Sequence, residues 1–146
     1  MSVPVALAIA AALVVLAVVA GLVLRTRDGR RRGGGGLRVR PADLAPAALA
    51  PRATLVQFST ELCTRCPQVR RLLGQVATAH DGVSHVEVDL THRTDLGTRY
   101  HVLQTPTTFL VDSSGAVLSR WGGIPDRRTV DDALSTVLAP HPQEYR

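Results

Sequence analysis

The fold is decided by residues 53–79, which read ATLVQFSTELCTRCPQVRRLLGQVATA and pass from a strand pattern to a helix pattern. Residues 53–59 are a short apolar run rich in β-branched side chains, which predicts a buried strand. Residues 64–79 place apolar side chains at helical spacing and predict a helix. Both cysteines of the chain, Cys63 and Cys66, lie at the junction of these two elements.

The residues on either side of this stretch continue the alternation of strands and helices. Upstream, we predict a first strand at 37–40 and a short helix at about 42–49. A short turn joins the last two predicted strands and makes them antiparallel, whereas a β-α-β beginning requires a parallel pair. The predicted fold class is therefore α/β, with a mixed sheet flanked by helices. The downstream elements are a strand at 83–90, a helix at 93–100, strands at 107–111 and 116–121, and a helix at 126–138.

The tetrapeptide Cys63-Thr64-Arg65-Cys66 has three interpretations: a redox pair, half of a zinc site, or coincidence. Structural zinc sites need four ligands and usually contain a second close pair. The redox interpretation has a physical basis, because a helix N-terminus stabilises the thiolate form of a nearby cysteine. Arg65 adds a positive charge that is expected to stabilise the Cys63 thiolate further. Cys66, one turn on, is close enough to attack a mixed disulfide.

Residues 53–121 resemble a thioredoxin, and several separate features carry the resemblance. The strand leads through Glu61 and Leu62 into the cysteine tetrapeptide and its helix. Thr105-Pro106-Thr107, with its proline 43 residues after Cys63, matches the proline segment of that family. Gly122 matches the family's glycine near the substrate groove.

The resemblance implies a role for each matching residue. Cys63 is the exposed nucleophile and Cys66 the buried resolving thiol. Pro106 follows a cis peptide bond, and Thr105 offers backbone groups to a substrate strand. Gly122 borders the substrate groove. No organic cofactor is implied, because the disulfide itself carries two electrons.

The sequence also departs from the thioredoxin pattern around the cysteines. Leu62 replaces the tryptophan before the first cysteine, and Thr64-Arg65 replaces the usual Gly-Pro. Gln57 stands where the family has a buried aspartate that accepts a proton from the second cysteine. His85 stands where the family has a lysine beside that aspartate.

Because Gln57 cannot accept a proton, Cys66 needs another acceptor, and water, His85 and Glu61 are the candidates. One hypothesis is that His85 partly replaces the missing acid–base group. The alternative is that His85 fills a half-exposed strand position without a chemical role. Arg65, His85 and Glu61 are together predicted to tune the protonation of the pair.

Composition and charge exclude several classes of protein. The chain has 146 residues, is 45% hydrophobic and contains two cysteines, which excludes a disulfide-rich mini-protein and a disordered chain. The net charge of +5 is local, because residues 25–40 hold seven arginines against Asp28 alone. The remaining ten arginines and eleven acidic residues nearly balance, so the fold itself does not indicate nucleic-acid binding.

Residues 3–24 contain no charged side chain, and about 20 apolar residues cross the ~30 Å hydrocarbon core of a membrane as a helix. The alternative is a cleaved signal peptide, which usually starts with a positive charge. Met1 and Ser2 carry no side-chain charge, and Arg25 follows the apolar run directly, so we predict a retained transmembrane helix. Because arginines beside a span favour the cytoplasmic side, we expect the soluble domain there.

The remaining boundaries follow from composition. Residues 25–36 are predicted to be an Arg/Gly-rich linker, made flexible by the glycines at 33–36. Residues 37–140 form the predicted thioredoxin-like domain, and residues 141–146 a flexible tail.

These features predict a single-pass cell-membrane protein that reduces protein disulfides by exchange through Cys63 and Cys66. The expected partners are protein disulfide substrates, an electron donor and the membrane, with no nucleic acid and no metal. Two other functions remain open: a binding module whose cysteines do not turn over, and a metal-handling protein that holds a soft ion between the thiolates. If the arginine rule misleads, an outward-facing domain would act on exported proteins instead.

Overall fold

A computed structural model describes residues 2–140 of the chain. The helices are α1 (Val3–Arg27), α2 (Cys66–Thr78), α3 (Thr94–Arg99) and α4 (Arg127–Leu138), and the strands are β1 (Arg31–Gly33), β2 (Ala53–Ser59), β3 (Val83–Asp89), β4 (Thr107–Asp112) and β5 (Val117–Gly122). A 3-10 turn at Pro41–Leu44 lies between β1 and β2. From β2 onward, the elements confirm the strands and helices predicted from periodicity, with bounds shifted by a residue or two.

The five strands form one mixed sheet in the order β1-β5-β4-β2-β3. β2 pairs in parallel with β3, and the other three pairings are antiparallel. The predicted α/β class with a mixed sheet is confirmed. β2 is central and buried along its whole length, which explains its nearly continuous apolar sequence.

Two hydrophobic clusters pack on opposite faces of the sheet. On one face, the rings of Phe58, Phe109 and Tyr100 contact one another, with centroids 4.9–6.2 Å apart. On the other face, Leu55 and Trp121 pack under α2 and α4. Because side chains alternate along a strand, neighbouring residues of β2 reach both clusters and hold its carboxyl end firmly. The cysteine pair follows directly from that end.

The region before β2 differs from the prediction. Arg38 makes only an isolated bridge with Ala116, so residues 37–40 are not a strand. The edge strand is instead Arg31–Gly33, which lies inside the predicted linker and pairs with β5. Glycine has low strand propensity and Arg-Arg-Gly has no apolar alternation, so pairing with the β5 edge overrides the local preference. Gly34 permits this pairing, because a Cβ there would overlap the carbonyl oxygen of Val117.

The predicted helix at 42–49 is also shorter than expected. Only the 3-10 turn at Pro41–Leu44 forms, and a cis Ala45–Pro46 bond follows it. Proline removes a backbone donor and restricts the residue before it to extended conformations, which ends the helix at this point.

Helix α1 extends three residues beyond the predicted span of 3–24. It is long and apolar enough to cross a membrane by length and composition, a test that an N-terminal signal sequence also passes. No residue of α1 is buried, so the helix projects from the domain. The predicted flexible tail, residues 141–146, lies outside the described residues.

Candidate active site

Cys63 and Cys66 form a disulfide at the start of α2, with their Cα atoms 5.5 Å apart. Cys66 is the first residue of the helix and is only 2% exposed, whereas Cys63 lies in the preceding turn and is half-buried. The Cys63 N–H donates to the carbonyl of Thr60 (3.2 Å), and the Cys66 N–H to that of Cys63 (3.4 Å). Pro67 fits in the first helical turn, where an N–H has no helical partner. The outer sulfur is therefore the one that a substrate can reach.

The proline loop, residues 100–106 between α3 and β4, lies beside this turn. The Thr105–Pro106 bond is cis, as the sequence resemblance implies, and Pro106 is buried. The hydroxyl oxygens of Thr105 and Thr60 are 3.4 Å apart, which joins the loop to the cysteine turn. Among the described residues, the backbone N–H and C=O of Thr105 make no hydrogen bond. Both groups are therefore available to an extended substrate segment.

A buried hydrogen-bonded chain runs from Cys66 to His85. The side-chain amide of Gln57 donates to the carbonyl oxygen of Cys66 (3.0 Å). The side-chain oxygen of Gln57 lies 2.9 Å from Nε2 of His85 and can only accept, so Nε2 carries the hydrogen. Burial lowers the pKa of His85, which favours this neutral form.

This arrangement places the His85 ring against Gln57 rather than against a cysteine. The ring is bonded to an amide that cannot carry a proton onward, so it does not replace the missing carboxylate by direct proton transfer. It is also more than filler, because it orients the buried amide that holds the Cys66 carbonyl. Gln57 and His85 thus form one hydrogen-bonded chain that ends at the carbonyl of Cys66.

A cavity of about 360 Å³ adjoins the disulfide, and Cys63, Cys66, Ser59, Arg70 and Glu87 are among the residues that line it. The Ser59 hydroxyl donates to Glu87 (2.7 Å), and Arg70 donates to the same carboxylate through two nitrogens, one of them at 2.7 Å. The Arg70 hydrogen bond lowers the pKa of Glu87, so this carboxylate is ionised beside the cysteine pair.

Sequence reasoning missed Glu87, although a signal was present. β3 alternates inward and outward side chains, and Glu87 is two residues from His85 on the same face. The parallel register pairs Glu87 with Gln57, the position already identified as unusual.

Arg65 is paired with an acidic residue from the end of α1. Its guanidinium donates to the carboxylate of Asp28 at 2.7 Å. The positive charge expected to act on Cys63 is therefore compensated. Asp28 is a second site residue that the sequence did not predict. The only feature that marked it was its place as the single acidic residue in the arginine-rich segment.

The segment after α1 also covers Gly122. The N–H of Gly29 donates to the carbonyl of Gly122 at 2.6 Å. The side chain of Gln104 packs against Gly122, so that a Cβ there would overlap it. Gly122 is half-buried and lines a cavity of about 500 Å³, while its carbonyl is occupied by Gly29.

The other residues near the cysteines face solvent. Glu61 is exposed, and its N–H donates to the hydroxyl of Thr91 (3.0 Å). Leu62 is 92% exposed. Within residues 2–140 there is no group of three or more histidine, cysteine or acidic side chains that could hold a metal ion. The structure thus brings the cysteines, Thr105 and Pro106 together and connects His85 through Gln57. Glu61 is exposed at the edge of the cavity that both cysteines line.

Comparison with known proteins agrees with this geometry. The family model described as Thioredoxin matches residues 46–135. The chain shares its fold with a mutant thioredoxin from Halobacterium salinarum NRC-1, at 20% identity and TM-score 0.55, covering 62% of this chain and 79% of that one. A thioredoxin-2 described as a component of malaria parasite protein secretion machinery matches at 15% identity and TM-score 0.52, covering 57% and 82%. Among curated proteins, no sequence matches the chain.

The structural likenesses establish the fold, and the close cysteine pair on that fold supports thiol–disulfide exchange. The family match covers more than half of the 146 residues and contains both cysteines, Thr105 and Pro106. The chain belongs to the thioredoxin family.

Proposed function

We propose that this protein is a membrane-tethered oxidoreductase that reduces protein disulfides. The observation that carries the proposal is the asymmetry of the pair: Cys63 is accessible in a turn, and Cys66 is buried at the start of α2. One sulfur can meet a substrate while the other is protected until a mixed disulfide forms.

The exchange proceeds in two balanced steps. In the reduced protein, the Cys63 thiolate attacks a substrate disulfide, forms a mixed disulfide and releases the first substrate thiolate. Cys66 then attacks the sulfur of Cys63, which restores the Cys63–Cys66 disulfide and releases the second substrate thiolate. Two electrons pass to the substrate. The proton of Cys66 leaves through the adjoining cavity, because Gln57 cannot accept it.

The free backbone groups of Thr105 supply the substrate contact. An extended peptide beside the disulfide can pair with this N–H and C=O as an added strand. Because backbone groups recognise any sequence, this contact suits protein substrates in general. A dithiol donor, whose identity the site does not specify, returns the pair to its reduced form, and no organic cofactor takes part.

The proposal places α1 in the cell membrane as a retained single-pass anchor, with the domain on the cytoplasmic side. The apolar length of α1 and the arginines at its C-terminal end support this orientation. In the cytoplasm the net reaction is reduction, because the thiol pool there is reducing. Protease protection of the domain in intact cells, with digestion after permeabilisation, is the expected result.

The first test is the reduction potential of the pair in the full chain. The protein, held in lipid nanodiscs, is equilibrated in buffers with different ratios of reduced to oxidised dithiothreitol. Its free thiols are then alkylated with a mass tag. A two-electron transition near about −270 mV supports a reductase, whereas one near about −120 mV indicates an oxidant. If no intramolecular disulfide forms at any ratio of reduced to oxidised dithiothreitol, the proposal is wrong.

Substrate turnover provides the matching control. Cys63→Ser should abolish reduction of insulin disulfides, because the attacking sulfur is lost. Cys66→Ser should instead accumulate the mixed disulfide. Equal insulin reduction by Cys63→Ser would show that the activity lies elsewhere.

A further inference from the structure

The disulfide lies at the end of the domain from which α1 departs. Asp28 directly follows α1 and binds Arg65, which lies between the two cysteines. Asp28 is four residues beyond Leu24, the last apolar residue of the span, which corresponds to about 6 Å along a helix. The cysteine turn is therefore held close to the point where the chain enters the apolar segment.

The connection between α1 and the domain is short and packs against the domain. Only residues 28–30, here termed the connector, separate α1 from β1. Asp28 packs so closely on Gly123 that a Cβ there would overlap its carboxylate. Gly29 binds the carbonyl of Gly122, and a Cβ on Gly29 would overlap the carbonyl oxygen of Ile124.

Two leucines expose apolar surface at the same end. Within the described residues, Leu62 (92% exposed) and Leu103 (95% exposed) are the only strongly exposed large apolar side chains outside α1. Leu62 directly precedes Cys63. Leu103 belongs to the proline loop and lines a cavity together with Arg27 and Arg30. Lone exposed leucines are ordinary on a surface, but Leu62 adjoins Cys63 and Leu103 lies beside the last turn of α1. The pair of Asp28 with Arg65 joins these two places.

The charges around these leucines suit an anionic surface. Two cavities of about 500 and 550 Å³ lie between the last turn of α1 and the domain, and arginines line both. Arginine near an anionic membrane surface contributes about 1 kcal/mol per residue. Of the acidic side chains here, Asp28 is paired with Arg65 and Glu87 with Arg70. Glu61 and Asp89 are exposed beside the cysteine turn. The arginines are Arg25, Arg27, Arg30, Arg32 and Arg120, together with Arg65, whose charge Asp28 compensates.

We propose that the active-site face rests on the membrane surface. In this arrangement Leu62 and Leu103 enter the interfacial layer, and the arginines contact anionic headgroups. The substrates are then disulfides in that layer, carried by membrane proteins close to the bilayer surface. The inference rests on the proposed exchange activity and on α1 as a retained anchor, and the exchange steps are unchanged.

The depth of the face can be measured without any redox step. Leu103→Trp is compared with Ser113→Trp, which lies in the exposed turn at the opposite end of β4. Both full-length variants are placed in nanodiscs of phosphatidylcholine and phosphatidylglycerol containing a lipid with a spin label high on its acyl chain. Buried Trp121 gives the same background in both.

Since an interfacial side chain lies about 5–10 Å into the headgroup region, we expect at least about threefold more quenching at position 103 than at position 113. Equal quenching at the two positions would overturn the proposal.

The preference for membrane disulfides is tested with a lipid that carries a pyridyl disulfide on its headgroup. Prereduced protein, freed of reductant, reacts once with this lipid or with a soluble pyridyl disulfide, and released pyridine-2-thione is followed by absorbance. The protein dithiol becomes a disulfide, and the probe yields the lipid thiol and pyridine-2-thione.

The test variant carries an insertion of about ten glycine and serine residues between Arg27 and Asp28. This flexible segment lets the domain move roughly 18 Å away from the end of α1.

The insertion leaves the connector and the disulfide intact, so the rate with the soluble disulfide should not change. The rate with the lipid disulfide should fall by about tenfold, because the effective concentration of the surface substrate falls. The same segment inserted after Ser2 is the matched control and should change neither rate. An unchanged ratio of the two rates would overturn the proposal, whereas loss of both reactions in the parent protein would count against the exchange activity itself.

Discussion

At the scale of single residues, the pairing of Arg65 with Asp28 determines how much positive charge Cys63 experiences. Asp28→Asn removes the compensating carboxylate and should stabilise the Cys63 thiolate. Because this stabilises the reduced form, the reduction potential should become less negative. Both side chains are partly exposed, so the effect corresponds to an exposed pair of about 0.2–1 kcal/mol, or about 5–20 mV.

Equilibration of the Asp28→Asn protein in dithiothreitol buffers measures this shift. Asp95→Asn is the control, because it breaks an exposed pair with Arg93 on α3. A potential that stays the same, or moves in the negative direction, would show that Arg65 does not act on the sulfur.

His85 gives a second residue-scale prediction, concerning pH. Its pKa in the folded protein is lowered, mainly by burial, with Arg70 adding to the effect and Glu87 opposing it. Below the unfolded pKa of about 6.5, the unfolded chain therefore binds a proton that the folded one resists. Stability that is present above about pH 6.5 should be lost as the pH falls below that value.

Urea unfolding between about pH 7.5 and 5.5 measures this loss. In His85→Gln the free energy of unfolding should decline less steeply as the pH falls, because a neutral amide replaces the titrating ring. The new amide can still donate a hydrogen bond to the side-chain oxygen of Gln57. Lowered carboxylate pKa values, such as that of Glu87, act only at lower pH, below their usual range near 4. An equal slope in the parent and in His85→Gln would mean that another group titrates.

At the scale of elements, β1 depends on one close approach. A Cβ on Gly34 would overlap the carbonyl oxygen of Val117, whereas a Cβ on Gly33 meets nothing within 4 Å. Gly34→Ala should therefore disrupt the pairing of β1 with β5 and reduce the free energy of unfolding by about 1–3 kcal/mol. Gly33→Ala, one residue away, should change it by less than about 0.5 kcal/mol.

Urea unfolding of the two alanine variants distinguishes these outcomes, and trypsin cleavage at the arginines of β1 reports the local opening. Similar losses of stability in both variants would mean that β1 does not depend on this approach.

How well an element could be predicted depended on how local its determinants are. The apolar spacing that predicts β2 and α2, and the cysteines at their junction, all lie within 27 consecutive residues, so both elements were predictable. β1 has no such pattern, because its Arg-Arg-Gly sequence becomes a strand only by pairing with a segment some 90 residues away. The same limit explains the site. The cysteine tetrapeptide is local, whereas Asp28 meets Arg65 across 37 residues and Glu87 meets Ser59 across 28.

At the scale of the whole molecule, the proposed anchor α1 and the arginines after it predict on which side of the membrane the domain lies. The first two residues carry no side-chain charge, and residues 25–40 carry seven arginines. Because arginines close to a span favour the cytoplasm, the C-terminal domain should be inside. Inserting several arginines directly after Met1 reduces this asymmetry and should move part of the population to the opposite orientation. The same number of inserted serines is the control.

The cysteines themselves report the orientation, because the chain contains only Cys63 and Cys66. Intact cells are treated with a reductant and then with a maleimide that cannot cross the membrane. The parent protein and the serine variant should be labelled only after permeabilisation, whereas the arginine variant should be labelled in part before it. Full labelling of the parent in intact cells would place the disulfide outside, where an oxidising environment favours disulfide formation. The reaction would then be drawn toward exported substrates, since the side of the membrane determines which thiols and disulfides the pair can meet.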